Sequence, residues 1–80
     1  MRNISVITDR EQDDIIIRKQ LEQIAFDLHG DLCGFKLNEE KKAVYIFRFI
    51  NDKKIVNFKK NKFLKNYKVI EEKNGSTSNK

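Results

Sequence analysis

The stretch Ala43–Ile50, Ala-Val-Tyr-Ile-Phe-Arg-Phe-Ile, limits the architectures open to this chain more than any other segment. Its β-branched and aromatic residues favour an extended strand. At period two, Ala43, Tyr45, Phe47 and Phe49 point one way and Val44, Ile46 and Ile50 the other, interrupted only by Arg48. A strand apolar on both sides belongs inside a sheet, covered on much of each face. The expectation is a layered fold with this strand at its centre. Its second face would be covered by the C-terminal segment or by a second copy of the chain in a homodimer. An uncovered patch containing Tyr45 and Phe47 would be a binding site.

The rest of the chain supplies elements to pack around it. Asn3–Thr8 is short and β-branched and reads as a strand. Thr8-Asp9-Arg10-Glu11 has the spacing of a capping box, with acids crowding the turns that follow at Asp13 and Asp14. Ile17, Leu21, Ile24 and Leu28 then recur as one apolar stripe, predicting a long helix over Asp9–His29 closed by Gly30 in the left-handed region. Asp31–Asn38 reads as a strand, joined by the polar turn Glu39–Lys42 to the central one. A second polar turn, Asn51–Lys54, leads into a strand at Ile55–Lys59 that places Val56 and Phe58 on one side. Three consecutive strands joined by tight turns make an antiparallel meander. Asn61–Lys73 has two readings. Phe63, Leu64, Tyr67 and Ile70 at helical spacing favour a helix, and Tyr67–Ile70 could instead be a fourth strand.

The predicted class is therefore α+β: a three- to four-stranded, mostly antiparallel meander, one long helix on one face, and a short C-terminal helix or strand. Eighty residues suffice for one small domain, here residues 1–73, with 74–80 expected to be a disordered tail. The single Cys33 excludes an internal disulfide framework and fits a reducing compartment. No apolar run approaches the roughly 20 residues of a membrane span, so the expectation is a soluble cytoplasmic protein without a membrane partner. The wealth of Lys, Asn and Ile fits an AT-rich coding sequence, as in a low-GC bacterium or its phage.

Candidate chemistry is thin. His29 and Cys33 are the only soft ligands, and a tetrahedral metal wants four. His29 suits the last turn of the predicted helix, where a cation complements the dipole, and Cys33 reads as a small buried hydrophobe on its strand. The acids Asp9, Glu11, Asp13 and Asp14 are explained by helix capping and dipole effects. No glycine loop could cradle a phosphate. Neither enzymatic activity nor a cofactor or metal is expected.

Charge carries the one functional signal. The formal net charge is +5, and it is unevenly spread. Acids outnumber bases between Asp9 and Asp31, whereas Lys53–Lys68 holds seven lysines and no acid. Such asymmetry steers an acidic surface or a polyanion to one side of the molecule. Two binding readings follow. In the first, the chain is a small regulator or inhibitor that docks on an acidic protein surface or self-associates. Tyr45, Phe47 and Tyr67 would be its aromatic anchors, and lysines would steer the encounter. In the second, it binds nucleic acid without reading sequence, setting Arg48, Lys53, Lys54, Lys59, Lys60, Lys62 and Lys65 against phosphates.

Overall fold

The computed structural model describes residues 2–72, so the tail expected at 74–80 lies outside the described residues. The elements are β1 (Arg2–Ile7), α1 (Ile15–Asp27), β2 (Asp31–Leu37), β3 (Ala43–Phe49), α2 (Asp52–Lys59), a 3-10 turn (Lys62–Asn66) and β4 (Lys68–Glu72). The four strands form one antiparallel sheet in the order β2-β3-β1-β4. The α+β class holds, but the meander does not. Only β2 and β3 form a sequential hairpin, and β1 inserts between β3 and β4.

Strand β3 is interior, as its composition predicts. Its Ala43, Tyr45, Phe47 and Phe49 face the core with Ile4 and Val6 of β1. Both helices close that same face. Helix α1 contributes Ile17, Leu21 and Ala25, and α2 contributes Ile55 and Phe58. The Phe58 ring lies 5.4 Å from that of Phe47 and 4.9 Å from that of Phe49, within the range of favourable aromatic packing. The opposite face carries Ser5, Ile7, Val44, Ile46, Arg48, Lys68 and Ile70, and among the described residues no helix packs there. On that face Val44 and Ser5 are nevertheless buried, whereas Ile70 is 43% exposed. Among the described residues no segment covers the second apolar face of β3; the C-terminal segment expected there joins the sheet as β4 instead.

Three local expectations give way to specific side-chain chemistry. The first helix begins at Ile15 and spans 13 residues, because Asp14 is its N-cap and accepts the Ile16 and Ile17 amides at 3.0 and 3.2 Å. Thr8 is engaged elsewhere: its hydroxyl donates to the Ala43 carbonyl at 2.9 Å and accepts the Arg10 amide at 3.1 Å, so no capping box forms. At the other end His29 takes the left-handed conformation, with φ 62°, in place of Gly30. The segment Ile55–Lys59 is helical instead of extended. Asn51 caps it by accepting the Lys54 amide at 3.0 Å, and Ile55 and Phe58, three residues apart, share its buried side. Residues 61–72, the described part of that segment, do not form the favoured helix. The turn at Lys62–Asn66 lasts five residues before the chain extends into β4, the fourth-strand alternative.

Candidate partner-binding surface

The structure separates the ten candidate binding residues into five groups. Tyr45 and Phe47 are fully buried beneath α1 and α2 and cannot anchor a partner, which corrects their assignment to an exposed patch. Phe47 is a core residue stacked on Phe58. Tyr45 organises the β1–α1 connection: its hydroxyl accepts the Asp14 amide at 2.9 Å and donates to the Asp13 carboxylate at 2.8 Å. Burial pushes that hydroxyl up to about 12, and the Asp13 carboxylate pushes the same way. Tyr67 is half-buried and meets Phe63 edge-on at 5.5 Å. Burial and the nearby Asp9 charge also raise its hydroxyl.

Arg48 is exposed, but on the opposite face of the sheet from α2, so it does not join the lysines. Lys59 is engaged within the molecule. It pairs with Glu71 at 2.6 Å, Arg2 also reaches Glu71 at 3.4 Å, and Arg2 holds Asp52 at 2.9 Å. This network ties α2 to β1 and β4, so Lys59 is a structural cation.

Lys53, Lys54, Lys60, Lys62 and Lys65 remain, distributed over α2, its C-cap and the 3-10 turn. Among the described residues none of these five has a carboxylate within ion-pair distance. Lys53, Val56, Asn57 and Lys60 share the outward side of α2, opposite Ile55 and Phe58. Val56 is 48% exposed there, between the two lysines. Lys53 and Lys54 sit in the first turns of α2, where the helix dipole disfavours a cation by roughly 0.3–1 kcal/mol. Asp52 offsets part of that. Helix stability therefore does not explain this placement. Val56 was missed in the sequence because the strand assignment put it beside Phe58. Asn51-Asp52, an N-cap followed by an acid, was the available signal for a helix that turns Val56 outward.

The acids at the start of the acidic segment are paired within the molecule. Arg10 lies 3.7 Å from Asp9 and 3.6 Å from Asp14, Arg18 lies 3.6 Å from Asp13, and Lys42 lies 3.7 Å from Glu11. Among the described residues no three His, Cys, Asp or Glu side chains converge as a metal site. No helix of the described residues is long and apolar enough to cross a membrane. The chain is thus a small α+β domain whose distinctive surface is a cationic ridge with an apolar residue set into it. No family model, curated protein or solved structure matches the chain.

Proposed function

We propose that this protein is a small non-enzymatic binding module that docks α2 and the following 3-10 turn on an acidic surface of a larger protein partner. The observation that carries the reading is Val56, exposed between Lys53 and Lys60 on one side of α2. Phosphates gain nothing from an isopropyl group, whereas a protein interface uses an apolar contact ringed by steering charges. The aromatics that would stack on bases also argue against nucleic acid. Phe58 is buried, and Phe63 and Tyr67 pack on each other.

The test compares the wild-type chain with Val56→Asp and with the double variant Lys53→Glu/Lys60→Glu. Each is used to capture partners from lysate and is titrated with short single- and double-stranded oligonucleotides at physiological salt. A protein retained by the wild type and lost by both variants is the expected result, with negligible oligonucleotide binding. Oligonucleotide binding that falls steeply with salt, depends on the lysines and ignores Val56 would transfer the function to nucleic acid. Capture indifferent to both variants would reject this surface.

A further inference from the structure

Strand β2 ends the sheet, and its seven residues are the least covered part of the core layer. Phe35 and Leu37 lie on the helix-bearing face yet are 44% and 48% exposed. Along the outer side of β2 no other element of the described residues supplies a backbone hydrogen bond. An exposed edge with apolar side chains is a template for another strand. The occupant can be read from charge and register.

Across the hairpin the Asn38 amide bonds the Lys42 carbonyl at 3.0 Å, while Ala43 gives its amide to Arg10 and its carbonyl to Thr8 on the far side. Antiparallel alternation then turns the backbone groups of Leu37 and Phe35 toward the free edge. An irregularity lies between Leu32 and Gly34, where Cys33 is the extra residue. It shifts the alternation by one, so Leu32 joins Phe35 and Leu37 in presenting its backbone outward. Leu32 and Phe35 stand opposite Phe47 and Tyr45 and share the helix side, whereas Asp31 and Lys36 stand opposite Arg48 and Val44 and share the other.

We propose that two copies of this chain pair through their β2 edges about a two-fold axis beside Gly34, joining the two four-stranded sheets into one. In that register Leu32 of each copy opposes Phe35 of the other, and Asp31 of each opposes Lys36 of the other. Every opposed pair shares a face, and both charge pairs are attractive. A two-fold centred on Lys36 would set like charges opposite each other, and one centred on Phe35 would leave Asp31 unmatched. Phe35 of the second copy also lands at the mouth of the shallow cleft that Phe26 and Leu32 line. Phe26 is otherwise 73% exposed on α1. The bulge and the charges exclude indiscriminate edge pairing and admit the self-complementary one. Cys33, the only cysteine of the chain, is exposed and not the buried hydrophobe its strand position suggested, and it lies beside the axis in both copies. This dimer uses a different surface from α2 and does not rest on the docking reading.

The test is sedimentation of the full chain, reduced and at physiological salt, from micromolar to millimolar concentration. The expected species has twice the 9.5 kDa chain mass. Lys36→Asp and Asp31→Lys should each weaken the dimer by about tenfold, because either reversal sets like charges opposite at two symmetric sites. The combined swap Asp31→Lys/Lys36→Asp should restore it. Both positions are exposed, and melting curves report whether the variants fold. A short bis-maleimide should link Cys33 to Cys33 in the wild-type dimer. A chain that stays monomeric overturns the proposal. So does a dimer indifferent to the single reversals, one that the combined swap fails to restore, or one that the bis-maleimide does not link.

Discussion

Gly30 joins α1 to β2, and the structure makes a definite claim about why it is glycine. Its neighbour His29 takes the left-handed turn, so Gly30 is required for space and not for conformational freedom. A β-carbon at Gly30 would stand 2.5 Å from Phe49 Cδ1 and 2.8 Å from Cζ, and closer still to Cε1. Phe49 has little room to move, being 1% exposed and stacked on Phe58. In Gly30→Ala either the Phe49 ring leaves its position or the α1–β2 connection lifts off the sheet. Overpacking of this kind costs about 1–3 kcal/mol. The stiffer unfolded chain returns roughly 0.4–1 kcal/mol, for a net loss of about 1–2 kcal/mol. A domain of this size then melts roughly 4–8 °C lower per kcal/mol. Urea unfolding followed by circular dichroism measures the loss, and repeating it in a Phe49→Leu background isolates the cause. With the ring removed, the cost of Gly30→Ala should fall below about 0.5 kcal/mol. An alanine tolerated in the wild-type background would refute the reasoning. A cost unchanged by Phe49→Leu would show that the strain lies elsewhere.

Two further outcomes follow from the β1–α1 connection. Asp14→Ala should destabilise by about 1 kcal/mol through loss of the N-cap. Glu11→Ala should stay within about 0.5 kcal/mol, since that side chain caps nothing; equal urea midpoints for the two variants would contradict the observed helix start. Tyr45→Phe leaves the Asp14 amide without its hydroxyl acceptor, at a cost of roughly 1–3 kcal/mol. Folded Tyr45 keeps its proton until about 12, whereas an unfolded tyrosine releases it near its ordinary value of 10.0. Its stabilising effect is therefore complete below the lower value and declines as pH rises through the higher one, by at most about 3 kcal/mol. Urea midpoints across that window should fall more steeply for the wild type than for Tyr45→Phe. Tyr67, shifted the same way, accounts for part of what remains. Parallel curves would sink the assignment.

What the sequence encodes locally it encodes well. The apolar density of Ala43–Phe49 and the stripe Ile17-Leu21-Ile24-Leu28 each need only one neighbouring layer to make sense; a strand and a helix form there, although the helix is shorter than Asp9–His29 at both ends. The short α2 was lost because eight residues hold little more than two turns. Over Ile55–Phe58, Val56 and Phe58 match a strand as well as Ile55 and Phe58 match a helix. Sheet order was not legible for a different reason. The pairing of β1 with both β3 and β4 depends on which buried surfaces fit together, and periodicity says nothing about neighbours. The site inherited both errors. Reading α2 as a strand hid the exposed Val56, and without two helices on one face nothing indicated that Tyr45 and Phe47 would be sealed in. The lysine-rich segment itself was plain from composition. Composition could not show that Lys59 is tied to Glu71 or that Arg48 looks the other way.

The position of β1 between β3 and β4 also sets a timetable. The β2–β3 hairpin closes over a short loop and can form within microseconds. Strand β1 has no such local partner. Its Arg2 meets Glu71 across 69 positions of chain, and both of its ladders wait on distant segments. Closing loops of that length is the slow, entropically opposed event in folding. A chain ending before Lys68 would leave one side of β1 bare, a row of unpaired amides and carbonyls in the middle of what should be a finished sheet. Strand β4 thus acts as a latch, and chains interrupted short of it are the ones prone to stick to one another.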